Sequence, residues 1–391
     1  MEYEYLSLGV GKLEIEWRKN IIGQQDYFEL FQPDDKANVL YYFDDDGIVK
    51  SKEGSGYSKS LNDVRERLNM LGYSYRKLPA LLNEHMQSFT AELDDFKGFK
   101  PTKFIEMLKA VNIAEIDWVE HEGDAGYGKF FRSRILNLPQ FAAVKTYLDG
   151  VPNADHYIFE QIDPYIILSA LAENPENRKL KLEWRKKGKF TDLNKYKTIL
   201  IVTEGPTDGA VLKKALHMLR PEIADFFDFI DMKENYPFEG VSSMIKFFQG
   251  LTKIGTDRRM LFIFDNDSEG RYNFDRLNGV VHPPNMQKIL LPDMPEFKTF
   301  KTTSSTGDAV EDVNGRAVAI EMFLDHRYII PQAPVIQWSG PHSSTQQQQG
   351  ALKLKTKYYD KFMALEKKDL SKYNSDKLGK LLNMLLDKIS N

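Results

Sequence analysis

Thr198-Ile199-Leu200-Ile201-Val202-Thr203-Glu204-Gly205-Pro206-Thr207-Asp208 sets the terms for the whole chain. Ile199 to Val202 is short, apolar and largely β-branched, the pattern of a strand buried on both faces in a parallel sheet. Glu204-Gly205-Pro206-Thr207-Asp208 is a turn, and Thr207 or Asp208 can cap the helix that follows. Val211, Leu212, Ala215, Leu216 and Leu219 give that helix its apolar face. Glu204 therefore stands at the carboxyl end of a buried strand, where open α/β sheets bind their ligands.

A second cluster of the same build follows. Met260-Leu261-Phe262-Ile263-Phe264 is continuously apolar and runs directly into Asp265-Asn266-Asp267-Ser268-Glu269-Gly270. Carboxylates at alternate positions past a buried strand make poor core residues, because burying an unpaired charge is costly. Held together they repel unless a cation neutralises them, and oxygen-only ligands suit Mg²⁺ or Mn²⁺. The Asp265 stretch is no EF-hand loop, since Gly270 is misplaced for one and Leu277 stands where its last Glu belongs.

Together, strand-Glu-Gly-x-x-Asp and strand-Asp-x-Asp-x-Glu-Gly resemble the Toprim domain over residues 195–330. That fold is shared by type IA and II topoisomerases, bacterial primases and overcoming-lysogenization-defect nucleases. By the resemblance Glu204, Asp265 and Asp267 are catalytic. Glu204, Asp208, Asp265, Asp267 and Glu269 form the set that ligates Mg²⁺ or Mn²⁺. Glu269 matches a third acid of topoisomerase-like members, and Asp208 a further acid of nuclease-like members. Glu311, Asp312 and Glu321 are candidates for a second metal, or surface and capping charges.

The 391 residues predict two or three domains, and 42% apolar residues can fill real cores. A formal charge of −4 announces no nucleic acid globally, so such binding must come from local patches. The absence of cysteine excludes disulfides, thiolate metal sites and a Cys nucleophile, and fits a reducing cytoplasm. Met1-Glu2-Tyr3-Glu4 lacks the pattern of a signal peptide. No apolar run reaches the ~18 residues of a membrane span.

Residues 1–77 read as a β-rich module. Tyr5 to Trp17 has the alternation of a hairpin around a Gly-containing turn. Val39-Leu40-Tyr41-Tyr42-Phe43 predicts another strand, with a turn at Asp44-Asp45-Asp46-Gly47. Leu61, Val64, Leu68 and Leu71 line one face of a helix that Gly72 ends. This arrangement looks like the HEPN/Toprim-associated N-terminal module. Residues 78–194 read as mainly helical. An Arg with a His a few positions on, as HEPN ribonucleases carry, occurs only at Arg276 and His282, inside the Toprim stretch, so RNA cleavage of that type is unsupported.

Arg178 to Lys189 holds seven cations. Lys181, Arg185, Lys186 and Lys187 could follow a phosphate backbone while Trp184 stacks on a base; a solvated helix end is the plain alternative. Further on, Val280-Val281 and Lys288 to Leu291 predict strands, Lys298 to Gly307 a polar loop, and Glu311 to Leu324 a helix. Residues 331–391 read as a Gln-rich linker, Ser339 to Gly350, followed by two amphipathic helices. These helices would pack on the body, contact a second copy, or hold a partner protein together with the N-terminal module.

The expected fold class is thus α/β: a Rossmann-like parallel sheet after a β-hairpin-containing and helical N-terminal region, with a C-terminal helical tail. The function implied is metal-dependent cleavage of phosphodiesters, of DNA rather than RNA, in the cytoplasm and not at a membrane. Small Toprim proteins of this build are often bacterial genome-defence components. A zinc-ribbon primase is excluded by the missing cysteines. A type IA topoisomerase is excluded by the lack of room for its toroidal domains. A nucleic-acid- or nucleotide-sensing module that does not cut, and a structural subunit of an effector complex, stay open.

Overall fold

The computed structural model describes residues 3–4, 8–11, 13–15, 26–45, 48–87, 100–116, 134–150, 162–186, 197–230 and 240–390. The chain divides into two compact units, Met1–Asp192 and Leu193–Ile389. Among the described residues no helix is long and apolar enough to cross a membrane.

The first unit is built on an antiparallel sheet. Its strands are β1 (Tyr3–Glu4), β2 (Leu8–Val10), β3 (Leu13–Glu14), β4 (Lys36–Asp45), β5 (Ile48–Ser60) and β6 (Lys181–Trp184), in the order β1-β4-β5-β6-β2-β3. The predicted hairpin at Tyr5–Trp17 holds β2–β3, turning at Gly11 with φ +60°. Val39 to Phe43 lies within β4, which pairs with β5 from Lys36↔Tyr57 to Asp45↔Ile48. Asp46 and Gly47 of the acidic turn lie outside the described residues. Ser60 ends β5 and accepts a hydrogen bond from Asp63 N, starting α1 (Leu61–Met70); Gly72, at φ +96°, stops it. Helices α2 (Leu78–Gln87), α3 (Pro101–Lys109), α4 (Ala142–Gly150) and α5 (Pro164–Ala172) follow.

Strand β6 then returns to pair with both β2 and β5. Residues 1–77 and 78–194 consequently share one apolar core rather than forming two, running from Leu8 through the helices to Trp184. Gly56 permits this closure, since a Cβ there would sit 2.5 Å from Trp184 O and from Val39 Cγ2.

The second unit holds a fully parallel sheet of β7 (Ile199–Thr203), β8 (Phe227–Phe229), β9 (Arg259–Phe264) and β11 (Met286–Leu290), in the order β11-β9-β7-β8. The two decisive apolar runs are direct neighbours, Ile199↔Arg259 through Thr203↔Ile263. From β7 the chain moves to β8 on one side, then crosses to β9 on the other. The switch point of the sheet therefore lies between the carboxyl ends of β7 and β9. Helices α6 (Pro206–Leu219), α7 (Val241–Ile254) and α8 (Ser268–Arg276) connect the strands.

Both faces of this sheet are covered. Val202, Phe262 and Phe264 pack with Met244, Ile245 and Phe248 of α7. On the other face Ile201 and Ile263 meet Leu212 and Leu216 of α6 and Leu382, Leu385 and Leu386 of the C-terminal helix. The tail thus packs on its own unit.

Four local expectations are corrected. Val280-Val281 forms no strand, and Val281 is exposed. Lys298–Gly307 is no loop: β12 (Phe300–Ser304) buries Phe300 and Thr302 while Lys301 points out, and Gly307 opens β13 (Gly307–Glu311). Glu311–Leu324 is no helix. Val313, Ala317 and Ile320 are buried at helical spacing, but Gly315 at φ +72° breaks the chain before β14 (Ala317–Val318) and a short 3₁₀ turn. The Gln-rich stretch is no linker but the hairpin of β15 (Ile336–Pro341) and β16 (Gln348–Leu352). These strands complete a sheet in the order β13-β12-β15-β16. Asn266–Asp267, strand β10, pairs with β14. Helices α9 (His326–Ile329), α10 (Lys355–Met363) and α11 (Asp376–Ser390) end the chain.

Candidate functional site

The tips of β7 and β9 are joined by a hydrogen bond. Asp265 N donates to Glu204 Oε1 at 3.0 Å, across 61 residues of sequence. After β7, Gly205 N donates to Asp208 Oδ2 at 2.9 Å, so Asp208 caps α6 through one oxygen only. Its other oxygen, Oδ1, is buried with no hydrogen-bond partner among the described residues. After β9, Asp267 caps α8 by accepting from Gly270 N at 2.7 Å. Gly270 is required there. A Cβ would lie 2.1 Å from Asp265 O and 3.0 Å from Glu204 Oε1, so any larger residue would push α8 off the strand tips.

The β15–β16 hairpin supplies the side of the site that sequence reading missed. Gln349 Nε2 donates to Asp267 Oδ2 at 2.6 Å, and Gln349 Oε1 accepts from Glu269 N at 3.2 Å. Ser268 Oγ donates to Gln348 O at 2.8 Å. His342 Nε2 meets Glu269 Oε2 at 2.6 Å, while Asn273 Nδ2 donates to Glu269 Oε1 at 2.6 Å. On the Asp208 side, Lys355 Nζ lies 3.3 Å from Glu321 Oε2. The two form an ion pair on the Oε2 side, and Glu321 Oε1 has no hydrogen-bond partner among the described residues. Glu321 is wholly buried.

The electrostatics follow from crowding acids in a dry place. Burial first, then the neighbouring Asp267, Asp208 and Glu269 charges, push Glu204 up to about 8 against the hydrogen bond from Asp265 N. Asp208 is pushed up to about 7 by burial and by Glu321, with Lys355 opposing. Burial, then Asp208, Glu204 and Asp267, raise Asp265 well above the usual carboxylate range. Asp267 is raised by burial, and the bonds from Gly270 and Gln349 hold it down. Burial disfavours the Lys355 charge, but Glu321, Asp208 and Asp265 outweigh it and raise its pKa.

Glu204, Asp208, Asp265, Asp267 and Glu269 thus stand in one constellation, joined by Glu321 and Lys355. Glu311 stands apart, with Oε2 bonded to Thr302 Oγ1 and Trp338 Nε1, and Asp312 caps a turn at Asn314. No three Asp, Glu or His side chains among the described residues are drawn to a common point that could hold a metal ion. The donor set still suits a hard cation. It is oxygen-only, it repels itself, and it includes a buried Asp208 oxygen with nothing to bond.

In the first unit the reading of Trp184 is corrected. Its ring is 1% exposed, packed among Tyr27, Phe28, Phe31 and Tyr57 at centroid distances of 4.8–5.8 Å, so it cannot stack on a base. Arg185 is also buried. Its Nε donates to Leu40 O and its Nη2 to Glu183 Oε2 at 3.1 Å. Lys181–Trp184 is strand rather than a helix end, and of the cations proposed to follow a phosphate backbone Lys181 is exposed and Lys186 half-buried. Lys187 lies outside the described residues.

No curated protein and no solved structure matches the chain. Residues 3–193 match the family model described as HEPN/Toprim N-terminal domain 1, which spans the first compact unit. This match supports the HEPN/Toprim-associated N-terminal module that the sequence suggests.

Proposed function

We propose that the second unit is a Toprim-type catalytic domain that cleaves phosphodiester bonds of nucleic acid, DNA before RNA, with Mg²⁺ or Mn²⁺. The observation that carries this reading is the Glu204–Asp265 pair at the switch point of a parallel sheet. It is surrounded by carboxylates that raise one another's proton affinity, with Lys355 opposing them at Asp208 and Asp265. Glu204, Asp208 and Asp265 would hold the ion first, with Asp267 and Glu269 beside them. A divalent ion there would polarise a phosphate and acidify a bound water. Alternatively Glu204, left free of the ion, has a pKa of about 8 that suits general acid–base work near neutral pH. Lys355 places a fixed positive charge against Asp208 and Glu321, where phosphate oxygens would otherwise meet only acids. The N-terminal module and its association with nucleic-acid enzymes support a role in genome defence within the cytoplasm. A protein partner or a second copy held through that module is the arrangement proposed.

A second reading has its own support. The carboxylates do not converge, and both oxygens of Asp267 and of Glu269 are already bonded within the protein. A site that senses a nucleic acid or nucleotide without cutting would look like this. Incubation of the purified chain with plasmid, linear duplex, single-stranded DNA and RNA, in Mg²⁺, Mn²⁺ or EDTA, separates the two. Cleavage that EDTA abolishes supports the nuclease; metal-independent binding with every substrate intact supports the sensor.

A further inference from the structure

The carboxylates at the strand tips divide by how their oxygens are used. Asp208 leaves Oδ1 unpartnered, Glu204 uses only Oε1, and the Asp265 carboxylate accepts no hydrogen bond among the described residues. Glu269 has both oxygens held at 2.6 Å, by Asn273 and His342. Asp267 has both held as well, by Gly270 N and Gln349. We infer that Glu269 is a fixed charge outside the metal's coordination, and that His342 and Gln349 of the β15–β16 hairpin are the positioning residues that keep the Asp267–Glu269 arm in place.

The geometry of His342 is built for this. Its Nδ1 accepts from Thr345 N at 3.2 Å and Ser344 N at 3.3 Å, so in the neutral ring the proton sits on Nε2 and is donated to Glu269. The imidazole is 8% exposed and lies 5.4 Å from the Tyr272 ring, which leaves it little freedom. Gln349 presents its two ends to different groups, its N–H to Asp267 and its carbonyl oxygen to Glu269 N. One hairpin thereby fixes the first turn of α8 from outside. Each held oxygen of Asp267 and Glu269 keeps a second lone pair, but its direction is set by the bond already made, whereas Asp208, Glu204 and Asp265 each have an oxygen that can turn to an ion without disturbing a neighbour.

The inference rests on the metal-binding reading, and the test separates the two. Mn²⁺ binding to the full chain is followed by the loss of the free-ion electron paramagnetic resonance signal, beside steady-state cleavage kinetics. Asp265→Asn is expected to weaken Mn²⁺ binding by about tenfold or more, and Glu269→Gln, His342→Ala and Gln349→Ala to weaken it clearly less than Asp265→Asn does. His342→Ala is expected to lower kcat by about tenfold with KM little changed, and His342→Gln, which keeps a donor near the Nε2 position, to restore most of it. A merely structural histidine would lower the melting temperature in both variants and show no such rescue. If Glu269→Gln costs as much Mn²⁺ affinity as Asp265→Asn, Glu269 is a ligand and the inference fails while the metal site stands. If His342→Ala matches wild type in kcat, the positioning role fails. If the wild-type chain binds no Mn²⁺, the metal reading and the inference fall together.

Discussion

Two polar clusters sit against strands in this chain, and they resolve in opposite ways. At Lys181–Lys186 the fold satisfies what it buries. Trp184 joins an aromatic nest, and the Arg185 guanidinium finds the Leu40 carbonyl and the Glu183 carboxylate. At the tips of β7 and β9 the fold leaves carboxylates that raise one another's pKa, with a buried oxygen unbonded. A buried charge that has been matched is architecture. One that stays unmatched costs stability, and function is the usual reason such a cost persists.

The sharpest way to break the comparison is to remove one charge from the unmatched cluster. Glu204→Gln and Asp265→Asn should each lower metal-dependent cleavage by on the order of 10²–10³. In EDTA above about pH 8, where Glu204 has ionised, the same variants should melt at or above wild type, because a repelling charge has gone. With Mn²⁺ they should gain less stabilisation than wild type does. Variants that melt below wild type in EDTA and still cleave would make these acids structural.

The matched cluster should answer in the other direction. Trp184→Ala empties a site in the aromatic nest and should cost about 3–5 kcal/mol, read as a fall in the denaturant midpoint of the first unit. Nucleic-acid affinity at a temperature where the variant is folded should not change. A variant of wild-type stability that binds more weakly would restore the stacking role.

How far these two outcomes were legible is itself a matter of periodicity. The runs at Ile199 and Met260 declared themselves because strands buried on both faces carry no polar positions, and the acids follow them directly. Lys181-Leu182-Glu183-Trp184 also has a strand's alternation, with Leu182 and Trp184 inside, but the density of cations around it masks the period. Gln349 was beyond reach. Its bond to Asp267 spans 82 residues, and glutamine in a run of four reads as low complexity wherever its amide points. Lys355 was hidden in the same way, as one lysine of a Lys-rich helix. Local pattern reveals strands and caps, whereas partners brought by distant hairpins are visible only in the fold.

A pH titration sharpens the unmatched side. Glu204 rises from the ordinary 4.5 to about 8 and Asp208 from 3.8 to about 7 in the folded chain. Between these values the folded state holds protons that the unfolded state has released. The stabilisation that these two protons give the metal-free protein should therefore be complete below about pH 4 and be lost as pH rises through 7 to 8. Mn²⁺ should stabilise more at pH 8 than at pH 5, since protons compete for the same oxygens. A metal-free melting curve that is flat or rising from pH 5 to 8 would falsify the crowded-acid account.

The smallest expected effect lies on Lys181 and Lys186 of the matched stretch. Lys181 is exposed on β6, and Lys186 follows it with its ammonium 5.9 Å from the Trp184 ring. If both touch phosphates, the Lys181→Ala, Lys186→Ala double variant should flatten the log–log dependence of nucleic-acid affinity on salt by roughly 0.7–0.9 per lost contact. Arg185→Ala is the control. Its guanidinium is bonded inside the unit, so its loss should leave Leu40 O and Glu183 short of a partner and lower the melting temperature, with the salt slope unchanged. An unchanged slope in the double variant would make the whole stretch architectural. A slope that falls with Arg185→Ala instead would mean that the first unit opens to meet nucleic acid, and the division into matched and unmatched clusters would no longer hold.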